Sequence, residues 1–120
     1  MNTRSLTVKL VSLCLLAVML MGLYPAITYA QPPSLHLDRH SYHPGDEIEV
    51  RFTAPHNFDS NAWVGIIPSD VPHGSEAVND RHDIAYQYLN KRTRGTLIFR
   101  APSRPGSYDF RMNSSDNHGR

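Results

Sequence analysis

Short segments in which apolar and polar side chains alternate with a period of two make up most of the chain after residue 33. The apolar positions of these segments are Leu35 and Leu37, then Ile48, Val50 and Phe52, then Leu97 and Phe99, and finally Tyr108, Phe110 and Met112. Proline and glycine separate the segments. Because successive side chains of a strand point to opposite faces of a sheet, the pattern predicts antiparallel strands with one buried face.

One segment is apolar on both faces. Residues 62–67 read Ala-Trp-Val-Gly-Ile-Ile and are followed by Pro68. Strands that are buried on both faces have this continuous apolar character, and a proline can end such a strand. The segment is therefore predicted to be a central strand, with Trp63 in the core rather than exposed as a platform for sugar rings.

Residues 82–90 fit two structures. Ile84, Tyr86 and Tyr88 have the spacing of a strand, whereas Ile84, Tyr88 and Leu89 fit about one and a half turns of a helix. Aromatic residues favour strands, so a strand is the preferred interpretation and a short helix is the alternative.

The predicted fold is all-β, an antiparallel sandwich of the immunoglobulin-like type. A central strand carries the single tryptophan, and Pro-Gly-Ser-Tyr leads into a late strand. Tyr108 has the position of a corner tyrosine, whose hydroxyl ties the preceding loop to the sheet. The side chains expected to be buried are Leu37, Val50, Phe52, Trp63, Ile66, Leu97, Phe99, Tyr108 and Phe110.

Several motifs resemble known sandwich domains. Tyr-His-Pro-Gly-Asp at residues 42–46, with the alternating segment after it, looks like the opening hairpin of many bacterial surface sandwich domains. Trp-Val-Gly-Ile at residues 63–66 is similar to the central strand of SKICH domains and of the sandwich domain that precedes the catalytic part of plant purple acid phosphatases. Residues 62–69, 72–76 and 105–111 together resemble a module of bacterial exported proteins of unassigned function. The resemblance implies a sandwich fold and brings no catalytic residues.

The same resemblance implies a further apolar strand after the strand at residues 107–113. Residues 116–119, Asp-Asn-His-Gly, have the composition of a hairpin turn, and Arg120 follows them. The interpretation is a sandwich that lacks its last strand, so that the strand at 107–113 has an open edge. Marginal stability and self-association through that edge are the expected consequences.

Residues 1–30 have the features of a secretory signal peptide. Arg4 and Lys9 precede the uncharged apolar run at 10–23, and Thr-Tyr-Ala at 28–30 offers small residues to a signal peptidase. The run is shorter than the roughly 20 residues that cross a hydrocarbon core. The chain is expected to divide into a helical signal peptide, residues 1–30, and one sandwich domain, residues 31–120. That domain would be periplasmic or secreted, without stable membrane insertion.

Removal of the signal peptide would change the composition in two ways. It would remove Cys14, the single cysteine, so the exported domain would have to be stable without disulfides. Loss of Arg4 and Lys9 would take the formal net charge from +1 to −1. A nearly neutral domain gives no electrostatic case for binding nucleic acid. A protein or an envelope component is the expected partner.

Histidine is the one residue type of unusual frequency, with all 7 copies after residue 30. His36, His40 and His43 lie close together in the sequence, and imidazoles at an exported site can hold copper or zinc. His36 is predicted on the outer face of a strand, however, and the other two flank a turn. Solvated surface histidines are therefore the favoured interpretation, and metal binding is the alternative.

The segment between residues 69 and 83 is the most polar and least regular part of the domain. Its acidic and imidazole side chains are Asp70, His73, Glu76, Asp80, His82 and Asp83. All of these except Asp83 are predicted to form a binding loop, because loops on a rigid sandwich commonly carry binding sites. Asp70, Glu76, Asp80 and Asp83 also offer carboxylates for calcium, but their spacing matches no Asp-rich calcium loop, so a structural loop is favoured over a cation site.

The sequence carries no recognisable catalytic motif. Gly74-Ser75 lacks the glycine that a nucleophile elbow has two residues after the serine. Asp46 and Glu47 lie at a predicted turn, where water would solvate both carboxylates. The sequence therefore predicts a non-catalytic exported binding module without a cofactor. A histidine-based metal-binding protein is the second hypothesis, and a hydrolase is the third.

Overall fold

The structure is a computed structural model that describes residues 31–117. The predicted signal peptide, residues 1–30, and residues 118–120 of the predicted terminal turn lie outside the described residues. Six strands and one helix follow in chain order: β1 (Ser34–Leu37), β2 (Glu47–Thr53), β3 (Trp63–Pro68), α1 (Glu76–His82), β4 (Ala85–Tyr88), β5 (Arg94–Arg100) and β6 (Tyr108–Asn113).

The strands form two antiparallel sheets of three strands each. In the first sheet β2 lies between β1 and β5, and in the second sheet β3 lies between β4 and β6. Val50 of β2 lies opposite Leu37 on one side and Leu97 on the other. In the second sheet, Ile66 of β3 lies opposite Phe110 of β6. The prediction of an all-β antiparallel sandwich is confirmed.

The hydrophobic core lies between the two sheets. Its larger fully buried members are Ile48, Val50, Phe52, Val64, Ile66, Leu89, Leu97 and Phe99. Along β2, apolar residues are buried and the charged residues between them are exposed, as the alternation predicts. Burial of this apolar surface is the main source of stability, at roughly 25 cal/mol for each Å² removed from water.

Six of the nine side chains predicted to be core are buried: Val50, Phe52, Trp63, Ile66, Leu97 and Phe99. The other three, Leu37, Tyr108 and Phe110, are only partly buried, so the prediction was wrong for them. They belong to β1 and β6, which are outermost strands of their sheets. Within residues 31–117 no strand pairs with the outer edge of β6, where Tyr108 and Phe110 lie.

Trp63 is buried as predicted, but on the outer face of the second sheet rather than between the sheets. Val64 and Ile66 belong to the core cluster, whereas Trp63 and Gly65 alternate to the opposite face. A Cβ atom on Gly65 would lie 2.5 Å from the Trp63 ring, so the absence of a side chain there makes room for the indole. The segment at residues 69–83, which contains α1, lies over this face.

Two loops match their predicted structures. Gly45 adopts a φ of +83° in the turn before β2, and the Asp46 carboxylate accepts a hydrogen bond from the His43 N–H over 2.9 Å. The Tyr108 hydroxyl donates to the Arg104 carbonyl oxygen over 2.5 Å. This hydrogen bond ties the loop before β6 to the second sheet, as the corner position of the tyrosine predicts.

The segment between β3 and β4 differs from its prediction as an irregular loop, because it contains α1. The Ser75 side chain caps the helix by accepting a hydrogen bond from the Val78 N–H over 3.3 Å. Glu76 occupies the first turn, and Arg81 and His82 occupy the last turn, which suits the helix dipole. The strand that was preferred for residues 82–90 is present as β4. His82, the first residue of that segment, is the last residue of α1.

Candidate functional site

The candidate site is the segment at residues 69–83, which we call the outer segment. It leaves β3 at Pro68, crosses the outer face of the second sheet, forms α1 and returns to β4. Ser69 is held to the loop before β6 by a backbone hydrogen bond to the Ser107 carbonyl over 3.0 Å. At the other end, the Ile84 N–H donates to the Ile66 carbonyl over 2.9 Å. Both ends are therefore fixed to the second sheet.

A buried arginine of β6 holds the first half of the outer segment. The Arg111 side chain is only 6% exposed. One of its terminal nitrogens, Nη2, donates to the Val71 carbonyl over 2.7 Å, and Nη1 donates to the Pro72 carbonyl over 3.3 Å. Nη1 also donates to Asn79 Oδ1 over 3.1 Å. A single guanidinium thus connects the sheet, the loop and the helix.

Asn79 continues this buried polar network. It is 8% exposed, and its side-chain nitrogen donates to Asn113 Oδ1 over 2.8 Å. Buried amides of this kind are costly unless they are paired, so the two asparagines fix α1 in one position against β6.

Asp109 completes the network at the surface. Its carboxylate accepts hydrogen bonds from Arg111 over 3.0 Å and from the Ser69 hydroxyl over 2.9 Å. The exposed His73 ring lies 3.5 Å away. Burial alone would raise the pKa of Asp109, but the hydrogen bonds and the positive charges of Arg111 and His73 outweigh it. The pKa of Asp109 is therefore lowered from its ordinary value of 3.8.

The lowered pKa predicts a dependence of stability on pH. Ionised Asp109 stabilises the folded protein fully above about pH 4, the unfolded value, and this contribution is lost as the pH falls through the lower folded value. The difference in unfolding free energy between the parent and Asp109→Asn should be constant near neutrality and shrink on acidification. Urea unfolding at several pH values measures it.

A matched control is available for this prediction. Asp38 forms an ion pair with Arg51 in which both side chains are more than half exposed. Asp38→Asn should change stability by less than about 1 kcal/mol. A difference between parent and Asp109→Asn that stayed the same down to about pH 2, well below ordinary carboxyl pKa values, would contradict the prediction.

A second cluster joins α1 to the segment after β6. Carboxylate oxygens of Glu76, Asp80 and Asp116 lie within 4.8 Å of one another. Asp116 is buried, and one of its carboxylate oxygens accepts a hydrogen bond from the Tyr88 hydroxyl over 3.0 Å. Glu76 accepts one from Trp63 Nε1 over 3.3 Å. Oxygen ligands of this type suit a hard cation such as calcium.

The structure brings together only part of the predicted acidic set. Glu76 and Asp80 are four residues apart on α1 and therefore share one face of the helix. Asp70 and Asp83 are not members of this cluster. Asp116, which is a member, was assigned by the sequence to a terminal turn and not to a site.

The three histidines of the metal hypothesis do not form a cluster within residues 31–117. His36 lies beside Asp38, with 3.7 Å between Nε2 and the carboxylate. The backbone N–H of His43 is engaged in the turn before β2, and His40 is exposed. Of the predicted binding loop, Asp70, His73 and His82 are exposed.

The candidate catalytic groups have structural contacts. The Ser75 hydroxyl accepts the helix-capping hydrogen bond, and the Asp46 carboxylate accepts one from the turn. Arg111, Asp109 and Asn79 were all missed as site residues by the sequence analysis. For Asp109 and Arg111 a signal was present: they are charged residues at alternate positions of β6, and β6 pairs with β3, which is apolar on both faces.

Within the described part of the chain, no helix is both long enough and apolar enough to cross a membrane. Comparisons of the chain with protein-family models, with curated proteins and with solved structures gave no match.

Proposed function

We propose that the protein is an exported, non-catalytic module of the immunoglobulin-like type, which binds a protein or an envelope component through its outer segment. The export part of the proposal is supported by the charge and apolar pattern of residues 1–30. The classification is supported by the strand order, with β1-β2-β5 facing β4-β3-β6, and by the hydrogen bond of the corner tyrosine Tyr108.

The observation that carries the binding proposal is the fixed position of the outer segment. Arg111 and Asn79 hold it from beneath, while Asp70, His73, Arg81 and His82 remain exposed on its surface. A surface that is already ordered loses little conformational entropy on binding, so its polar groups can contribute to affinity. Such segments on a rigid sandwich are the usual location of recognition.

The test measures binding of the protein to isolated cell envelopes and to soluble extract of its host. The loop variant carries His73→Ser and Arg81→Gln, both at exposed positions. The control carries His36→Ser on β1 and Arg94→Gln on β5, also exposed, with the same change in composition. The loop variant should bind at least about tenfold more weakly than the parent, which corresponds to 1.4 kcal/mol. The control should bind like the parent.

Equal binding by the loop variant and the parent would contradict the proposal. Dialysis against copper, zinc and calcium, followed by elemental analysis, distinguishes the metal-binding alternative from the proposed binding module. Stoichiometric retention would favour the metal-binding alternative. Loss of retention in a His40→Ala and His43→Ala variant would locate the ion at the histidines, and loss in Asp80→Asn would locate it at the carboxylates.

A further inference from the structure

The two long sides of the sandwich differ. On one side, β4 and β5 are joined by a tight turn, in which Asn90 and Lys91 adopt positive φ angles of 56° and 62°. The side-chain amide of Gln87 on β4 donates to the Ile98 carbonyl of β5, so a hydrogen bond bridges the two sheets there. Leu89, which follows β4, is 1% exposed. This side of the core is closed.

The side formed by β1 and β6 is open. A cleft of about 780 Å³ lies there, and Ile48 and Ile66 line it together with Leu37 of β1 and Phe110 of β6. The loops at residues 40–44 and 101–107 supply most of its remaining lining. Of the seven partly buried apolar side chains that pack against the core, six belong to β1, the loop after it or β6: Leu35, Leu37, Tyr42, Tyr108, Phe110 and Met112. The apolar residues of β2 and β5 that point inward are almost fully buried. The apolar side chains at the border of the core are therefore less completely covered along β1 and β6 than along β2 and β5.

The edge of β6 borders this cleft. Within residues 31–117, β6 pairs with β3 alone, so its other edge carries backbone N–H and C=O groups that no strand engages. Tyr108, Phe110 and Met112 point toward the other sheet, and Phe110 packs edge-on against Phe99 with 5.1 Å between ring centres. Asp109 and Arg111 point to the opposite face, where they contact each other and the outer segment.

We propose that the edge of β6 accepts an extended strand of a partner protein, and that this strand has apolar residues at every second position. Such a strand would satisfy the edge amides and carbonyls and place its apolar face over the cleft, against Leu37 and Tyr42. Neighbouring strands are about 4.8 Å apart and facing sheets about 10 Å apart, so one added strand extends the second sheet beneath β1. A compact ligand would fill the cleft but leave the edge groups without hydrogen bonds.

The added strand needs no charge to match the outer face of β6. The carboxylate of Asp109 and the guanidinium of Arg111 already neutralise each other over 3.0 Å. Alternating apolar residues with small polar residues between them are therefore the chemistry that fits. His73 of the outer segment also lines the cleft, so the two proposed surfaces meet there. The edge of β6 itself is not part of the outer segment, and the variants below leave that segment unchanged.

The experiment adds a synthetic peptide, Lys-Thr-Val-Thr-Val-Thr-Val-Thr-Lys, to the purified full-length protein. Its central seven residues match a usual strand length and read alike in both directions. The control peptide replaces the central valine by proline, which removes a backbone N–H and disfavours strand pairing. The first peptide should raise the melting temperature with increasing concentration and slow amide hydrogen exchange at residues 108–113. The proline peptide should do neither.

Two variants locate the binding surface. Met112→Lys places a charge on the inward face of β6, beside the edge that the peptide would join, and should weaken peptide binding at least tenfold. Ile98→Lys makes the same kind of change on β5, where Ile98 is 42% exposed, and should leave binding unchanged. If Met112→Lys does not fold, hydrogen exchange in the parent protein still decides the question.

Absence of binding at millimolar peptide would overturn the proposal. So would a dimer whose β6 amides are protected without peptide, because a second copy of the chain would then be the occupant of the edge.

Discussion

Replacing Trp63 by alanine is expected to lower the free energy of unfolding by about 3 to 5 kcal/mol, because it leaves a large cavity. Trp63 is 0% exposed, and its ring meets Tyr86 edge-on with 6.3 Å between ring centres. Its Nε1–H donates to the Ser115 carbonyl over 3.1 Å and to the Glu76 carboxylate over 3.3 Å. The substitution therefore removes apolar contacts and also the donor that joins α1 to the segment after β6.

Two further variants separate these contributions in urea unfolding experiments. Trp63→Phe keeps much of the ring volume but lacks the N–H. Its free energy of unfolding should therefore lie between that of the parent and that of Trp63→Ala. Ile98→Ala truncates a partly exposed side chain and should cost less than about 1 kcal/mol, since surface substitutions are usually mild. A melting temperature of Trp63→Ala within a few degrees of the parent's would contradict the assignment of the indole as buried beneath the outer segment.

The strands were predictable because burial of one face forces a period of two. This rule holds for β2 and β5, whose alternation appears directly in their exposed and buried side chains. For β3, apolar residues on both faces correctly predicted a central strand. Periodicity alone cannot say which of the two faces meets the other sheet, however. The prediction that Trp63 is in the core therefore did not reveal that it lies on the outer face of the second sheet.

The helix α1 was missed because it is short. Seven residues make about two turns, which are marginal in water without tertiary packing. The local signal was Ser75 followed by Glu76, which is typical of a helix start. What stabilises the helix is its contact with Trp63, Asn113 and Arg111, and those residues lie far from it in the sequence.

The candidate site was predictable only where its members are neighbours in the sequence. Glu76 and Asp80 share a helix face and were both predicted as site residues. Asp116 reaches them because β6 pairs with β3 and so ends beside Trp63. That contact depends on the sheet topology, for which the residues around Asp116 give no local signal.

Replacing Arg111 by methionine is expected to destabilise the protein by about 3 kcal/mol or more. Methionine fills a similar elongated space but cannot donate hydrogen bonds. The Val71 and Pro72 carbonyls and the Asn79 side chain would lose their donor, and Asp109 would lose its partner charge. Buried acceptors that are left unsatisfied cost more than the hydrogen bond itself contributes.

The matched control for this prediction is Arg51→Met. Arg51 forms its ion pair with Asp38 over 2.6 Å, but its side chain is 53% exposed, so the same chemical change should cost less than about 1 kcal/mol. Urea unfolding of both variants measures the difference. The double variant Arg111→Met with Asp109→Asn should lose less stability than the sum of the losses in the two single variants. Arg111→Met leaves the Asp109 carboxylate without its partner charge, and Asp109→Asn removes that carboxylate. Equal stabilities of Arg111→Met and Arg51→Met would mean that the outer segment is held by its own packing, and that the guanidinium is dispensable.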